Sequence, residues 1–265
     1  MRGSNHMNYK NWYSNHSVQF QIIQFTKNKE VALISKRNNP TAQRRHLRVH
    51  NAQAVVYIIN TYGISRGFTP NLYTTVATYK NGFPPTRHET FNDIKKEWIQ
   101  NHQKKITSYP LFIDIDGDNH KEFYHVKLSM QLLHNHLVKK NVPHEIRFSG
   151  MGYHFIIPND DLDISFDQTK PNNVYKINKD IATQLNDEIS ELIDLKIYDS
   201  RRLIKCPYSL AIYGNNYYVC LPLKSEADLK LNPEDFKPEK WYNEIFQRGT
   251  HVFNPEGTIQ NLIKK

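Results

Sequence analysis

The feature that most constrains this chain is an apolar run that ends in two carboxylates, Leu111-Phe112-Ile113-Asp114-Ile115-Asp116. Such a run reads as a buried strand, and on a strand residues i and i+2 share a face, so Asp114 and Asp116 are expected to project side by side. Two carboxylates held that close repel each other unless a cation lies between them, and hard oxygen donors suit Mg²⁺ or Mn²⁺. The plainer reading of the same residues is a strand that runs into a turn at Asp116-Gly117, since Asp-Gly is a common turn former.

A second segment follows in Arg147-Phe148-Ser149-Gly150-Met151-Gly152-Tyr153-His154. Its pattern predicts a strand end, a tight glycine turn and a new strand over His154 to Pro158. A glycine turn brings backbone N–H groups close to an anion, and the Ser149 hydroxyl and His154 imidazole add donors at its edges. A simple hairpin, with glycines serving positive φ and an incidental histidine, fits those residues equally well. A third segment, from Leu192 through Asp194, Asp199, Arg201, Arg202 and Lys205 to Leu210, sets carboxylates ahead of a basic strand.

In this order and at these separations, the three segments resemble the archaeo-eukaryotic primase superfamily, which includes replicative primase small subunits, plasmid and viral primase-polymerases, and the polymerase domains of bacterial end-joining ligases. The likeness runs from about Leu72 to Leu223 and includes a weaker upstream match over Leu72 to Tyr79. The resemblance implies an α+β fold, with an RRM-like antiparallel catalytic sheet and a second α/β lobe packed against it. It also implies a nucleotidyltransferase that makes primers on a single-stranded DNA template, with two Mg²⁺ or Mn²⁺ ions. The alternatives it leaves open are a primer-dependent polymerase of end-joining or translesion type and a non-catalytic nucleic-acid-binding module on a degenerate scaffold.

Carried over by position, Asp114, Asp116 and Asp194 are the implied metal ligands and catalytic carboxylates, with Asp199 a rival for the third. Ser149, Gly150, His154, Arg202 and Lys205 are the implied contacts to the nucleoside triphosphate. The sequence departs from the family where many members have a histidine after Pro-x-Ser-Leu and this chain has Ala211. Its second motif is one residue shorter than in many replicative small subunits, which favours the plasmid and viral branch. Only Cys206 and Cys220 are present, and their number and spacing fit no zinc pattern, so no structural zinc is expected.

The formal net charge of +9 favours a polyanionic partner. Arg44, Arg45 and Arg147 are candidate contacts to template or to a second nucleotide, the first two within a basic stretch, Arg37 to His50, that reads as a loop around Pro40. Two cysteines give no disulfide framework, which makes the cytoplasm the default location. No apolar stretch approaches the roughly 20 residues of a membrane span.

Residues 1–7 read as an expression leader, residues 8–250 as the catalytic domain in two lobes divided near residue 108, and residues 251–265 as a basic C-terminal tail. The leader leaves room for a natural protein that continues past Lys265, for example into a helicase, which fused or separate would be a partner.

Strands are expected at Gln19–Ile23 and Val31–Ile34. Helices are expected over Gln53–Tyr62, Glu89–Ile106, Phe123–Lys140, Val174–Ile193 and near Glu239–Gln247, the clearest being Val174–Ile193 with apolar residues every three or four positions. His134 and His136 on such a helix lie about 200° apart and are not expected to share a metal. The strand at 111–116, the helix that follows and the two strands around Gly150 form a β-α-β-β unit that would set Asp114, Asp116 and His154 on neighbouring strands.

Overall fold

The computed structural model describes residues 9–35, 43–64, 68–82, 97–98, 101–116, 123–213, 216–245 and 248–263. In chain order the strands are β1 (Val31–Ser35), β2 (Gln43–Leu47), β3 (Phe68–Thr75), β4 (Thr78–Tyr79), β5 (Ile106–Ser108), β6 (Leu111–Ile115), β7 (Glu145–Phe148), β8 (Tyr153–Ile157), β9 (Leu203–Lys205), β10 (Leu210–Tyr213), β11 (Asn216–Val219) and β12 (Leu221–Leu223). They build two four-stranded antiparallel sheets, ordered β2-β1-β3-β9 and β12-β7-β8-β6, and two small two-stranded pairs, β10-β11 and β4-β5. The result is a mixed α+β architecture with antiparallel sheets.

The expected β-α-β-β unit is present. The helix Phe123–Lys139 links β6 to β7 and buries Phe123, Val126, Met130, Leu133 and Leu137, the stripe that its three- and four-residue spacing requires. The β7 and β8 strands then return as a hairpin, with β6 on the far side of β8. His134 on this helix is buried and contacts His144 and Glu226 through its two ring nitrogens.

Four expectations are corrected. Gln19–Ile23 is no strand but part of a helix, His16–Thr26, capped by Asn15, whose side chain accepts from the Ser17 and Val18 N–H groups. The alternation of Gln and apolar residues there imitates a strand, whereas the buried set Val18, Ile22 and Thr26 steps by four. The basic stretch is not wholly a loop: Gln43–Leu47 pairs with β1, while Arg37 and Pro40 lie outside the described residues.

The long helix expected to reach Ile193 ends at Glu188. Ile193 instead forms an antiparallel bridge with Ile115, and the Asp194 N–H donates to the Asp114 carbonyl at 2.9 Å. The physical reason is that β6 is an edge strand whose open backbone groups take these partners. Of the helix expected near Glu239–Gln247, the described residues are α-helical only to Trp241, in the short helix Pro238–Trp241, and Gln247 lies outside them.

Two elements differ at their ends. The helix Ala52–Ile58 widens into a π-helical turn, Ile59–Ile64. Most of the Glu89–Ile106 segment lies outside the described residues; its end is a 3₁₀ turn, His102–Lys105, and Ile106 opens β5.

Because β9 pairs with β3, residues 203–205 join the sheet made by β1, β2 and β3, which ties the chain's latter half to its first. Trp12 Nε1 donates to the Tyr208 carbonyl across that junction. A continuous core spans both sheets, and a smaller cluster gathers Val76, Tyr79, Trp98, Tyr109, Phe112, Tyr175 and Ile204. Residues 251–263 lie against the body: Phe253 bridges to His144, and Ile259 and Leu262 are buried. Among the described residues no helix is long and apolar enough to cross a membrane.

Candidate active site

The strand register decides what faces the site. Asp114 on β6 stands directly opposite His154 on β8, and His154 stands opposite Arg147 on β7. Residues opposed across an antiparallel pair lie about 5 Å apart on one face, so these three form a row across the sheet. His154 Nε2 lies 3.6 Å from Asp114 Oδ1. Lys205 and Arg202 arrive from the other sheet, Lys205 on β9 opposite Tyr73 on β3. Between the sheets opens a cleft of about 440 Å³ lined by Asp114, Asp116, Ser149, His154, Arg202 and Lys205, together with Ile34, Tyr73, Asp199, Arg201, Leu203 and Ile204.

The turn from Ser149 to Gly152 is built for close approach. The Ser149 N–H donates to the Gly152 carbonyl, closing a hairpin between Phe148 and Tyr153. Gly150 has φ of +116°, and a Cβ there would stand 2.6 Å from the Ala211 Cβ and 3.6 Å from Lys205 Nζ. A Cβ on Gly152 would stand 2.3 Å from the Ile115 carbonyl oxygen and 3.0 Å from Asp116 Oδ1. Gly150 lets the turn approach Ala211 and Lys205, and Gly152 lets it approach the end of β6. Ala211, buried on β10, is the small partner that Gly150 requires, so the missing histidine has a steric counterpart here: a larger side chain at 211 would press into the turn.

The electrostatics are polarised. Burial, reinforced by the neighbouring carboxylates Asp116 and Asp194, pushes the Asp114 carboxyl up to about 7 against the pull of Lys205 and Arg202. For Lys205 burial favours the neutral amine, yet Tyr73, Asp116 and Asp114 together outweigh it, and its pKa is raised. His154 is held well below the usual imidazole range by burial and by Lys205, Arg147 and Arg202, which keeps the ring neutral. Its Nδ1 is buried without a hydrogen-bond partner.

The third carboxylate can be compared by geometry. Asp194 is tied to Asp114 through the backbone, raises its pKa and lies 3.6 Å from Arg202 Nη2. Asp199 lines the cleft, and its carbonyl accepts the Tyr109 hydroxyl in the turn before β9; its Oδ1 accepts the Arg201 N–H just as Asp194 Oδ1 accepts the Lys196 N–H.

Among the described residues no three His, Cys, Asp or Glu side chains are gathered closely enough to hold a metal ion. The donor set nevertheless has the chemistry of a hard-cation site: carboxylates whose burial and mutual repulsion raise the Asp114 pKa are the oxygens a divalent cation would stabilise. Asp194 rests against Arg202 rather than its fellow carboxylates.

Arg147, a candidate contact to template or a second nucleotide, is only 2% exposed, pairs with Glu145 and lies 4.4 Å from the Phe25 ring. Arg44 and Arg45 lie on β2, and their side chains fall outside the described residues. Cys206 and Cys220 are buried free thiols. Tyr73 and Ile34 are cleft residues to which the sequence assigned no role. The signal for Tyr73 was the weak upstream match, and its direction became evident only from the pairing with Lys205.

No family model matches the sequence, and no curated protein matches it. Among solved structures, the polymerase domain from Mycobacterium tuberculosis Ligase D in complex with DNA superposes with a TM-score of 0.54, covering 91% of this chain and 86% of that one. The likeness is one of fold. At 12% identity it carries the architecture and no residue role, and that architecture agrees with the α+β arrangement of antiparallel sheets described above.

Proposed function

We infer that the protein is a DNA-dependent nucleotidyltransferase that joins nucleotides from nucleoside triphosphates on a template strand. One observation carries this reading: carboxylates on one wall of a single cleft face Arg202 and Lys205 on the other, with the Ser149–Gly152 turn closing its end. Asp114, Asp116 and Asp194 are the residues that would hold Mg²⁺ or Mn²⁺. When bound, such ions lower the pKa of the attacking 3′-hydroxyl and offset charge on the leaving pyrophosphate.

The chain's own residues supply positioning. Lys205, kept charged in a buried setting, and Arg202 at the cleft mouth neutralise the triphosphate. Ser149 and a neutral His154 donate hydrogen bonds to its oxygens, and the glycine turn lets the phosphates approach the backbone. In the reaction the 3′-oxygen bonds to the α-phosphorus, the bond to pyrophosphate breaks, and the hydroxyl proton is lost to solvent. Binding of a triphosphate to Arg202 would free Asp194 to turn toward Asp114.

The sequence resemblance supports strand initiation without a primer. The fold shared with a ligase polymerase domain favours extension of existing ends, and this is the second reading. Parallel reactions on single-stranded and on primed template, with Mg²⁺ or Mn²⁺ and labelled nucleotides, separate them. Short products without primer establish initiation; products only from the primed template establish extension. An Asp114→Asn protein that incorporates nucleotides at the wild-type rate overturns both.

A further inference from the structure

The geometry points to a second anion site, distinct from the catalytic cleft, that takes the phosphodiester backbone of the nucleic-acid strand through Lys27 and Arg48; it rests on the nucleic-acid reading above for its partner. A pocket of about 350 Å³ opens where the helix His16–Thr26 ends and β1 begins. Its lining holds four basic side chains, Lys27, Lys29, Arg48 and His50, and no acidic one. Glu30, next along the chain, is buried and lines no part of it. Among the described residues no carboxylate pairs with Lys27, Arg48 or His50.

Lys29 is the floor. Its ammonium donates to the carbonyls of Thr75 and Val76 and lies 5.2 Å from the Phe25 ring, so it contributes positive potential while its donors are engaged. Lys27 is exposed and Arg48 half-buried, which leaves both able to reach a ligand. Gly82, with φ of +73°, packs against the pocket rim: a Cβ there would lie 3.2 Å from Asn28 Oδ1 and at ordinary contact, 3.8 Å, from Arg48 Nη2.

One feature opposes an anion, the carbonyl end of the helix, worth about half a negative charge. The full charges of Lys27 and Arg48 exceed it. The pocket also lies within reach of the strand that the cleft would hold. From Lys29 to Ile34, which lines the cleft, is five residues, at most roughly 16 Å at ~3.3 Å per residue. At ~3.4 Å per nucleotide that distance corresponds to about five nucleotides.

The test is the salt dependence of affinity for a fluorescent single-stranded oligonucleotide, measured without nucleotide or metal. Each lost phosphate contact flattens the slope of log K against log salt by ~0.7 for single strands, so Lys27→Ala/Arg48→Ala is expected to flatten it by ~1.4. Lys27→Arg/Arg48→Lys should keep the wild-type slope. Lys176→Ala/Lys179→Ala, a double removal of exposed lysines that line no part of the pocket, should also keep it.

An unchanged slope in Lys27→Ala/Arg48→Ala, or an equal loss in Lys176→Ala/Lys179→Ala, overturns the site. Wild-type protein that shows the expected slope change on mutation yet incorporates no nucleotide sinks the polymerase reading and leaves the site standing. Normal incorporation with an unchanged slope does the reverse.

Discussion

Gly152→Ala is the sharpest test of how the cleft is assembled, because it adds one methyl group at the point where β8 meets the end of β6. That methyl carbon would lie 2.3 Å from the Ile115 carbonyl oxygen, 3.0 Å from Asp116 Oδ1 and 3.2 Å from the Asp116 Cα. Ordinary contact begins near 3.4 Å, so the two segments must separate by about 1 Å, and the nearest atom is backbone that no rotamer change can move aside. Overpacking of this kind costs ~1–3 kcal/mol, which for a chain of this size lowers Tm by roughly 2–12 °C.

The functional loss should exceed what stability explains. The displaced group carries Asp116, and a misplacement of about 1 Å in a reacting constellation costs on the order of 100-fold in rate. The assay pairs a thermal melt with primed incorporation measured well below the melting range. Gly249→Ala serves as control, since a Cβ there meets nothing within 4 Å; its stability should stay within ~0.5 kcal/mol of wild type. A Gly152→Ala protein with wild-type kcat would refute the argument that this glycine holds Asp116 in register.

Other perturbations probe the charges. With Asp114 at about 7 in the fold and near 3.8 when unfolded, its contribution to stability is fully present below pH 4 and is lost as pH rises through 7, at most ~4 kcal/mol; melts of wild type against Asp114→Asn from pH 4 to 8 should converge at low pH and diverge upward, with the variant the more stable. Mg²⁺ or Mn²⁺ at pH 8 should raise the Tm of wild type and leave that of Asp114→Asn unmoved, a dependence that a metal-independent fold would not show. Lys205→Met and Arg202→Ala each remove a charge-assisted contact worth ~1.5–3 kcal/mol, so kcat/KM for nucleotide should fall roughly ten- to hundredfold; a change confined to DNA affinity would contradict their placement at the triphosphate. Arg147→Met should leave DNA affinity and its salt slope unchanged, because the side chain is buried against Phe25, and a flattened slope would make Arg147 a template contact.

What the sequence made legible was local and periodic. The run ending in Asp114 and Asp116, the glycine turn and the helix Phe123–Lys139 each announce themselves in a few residues, and together they predict that Asp114 and His154 lie on adjacent strands, which the register shows. What was not legible depended on distant partners. No window of sequence reveals that Ile193 leaves its helical pattern to cover the edge of β6, because the demand comes from unpaired backbone groups some 80 residues earlier. The burial of Arg147 is likewise set by Phe25, which lies on a helix where the local alternation spelled a strand.

The same distance underlies our proposal of Asp194 rather than Asp199 as the third carboxylate. Both precede the Arg201-Arg202 pair, and sequence spacing alone leaves them rivals. The edge of β6 discriminates: by pairing Ile115 with Ile193, it fixes the Asp194 backbone against the Asp114 carbonyl, and the side chain that follows adds to the repulsion on Asp114. Each carboxylate also accepts the backbone N–H two residues on, Asp194 from Lys196 and Asp199 from Arg201, so that contact is common to both and the edge of β6 is what separates them. Exchange of the two roles by mutation should therefore be asymmetric. Asp194→Asn removes the charge beside Asp114 and Arg202 and should abolish metal-dependent stabilisation while leaving the apo-protein's fold intact. Asp199→Asn keeps an oxygen acceptor for the Arg201 N–H and should preserve most activity, whereas Asp199→Ala, which loses that acceptor, should loosen the turn and raise KM for nucleotide. Equal loss of metal-dependent stabilisation in Asp194→Asn and Asp199→Asn would place both carboxylates on the metal and overturn this division.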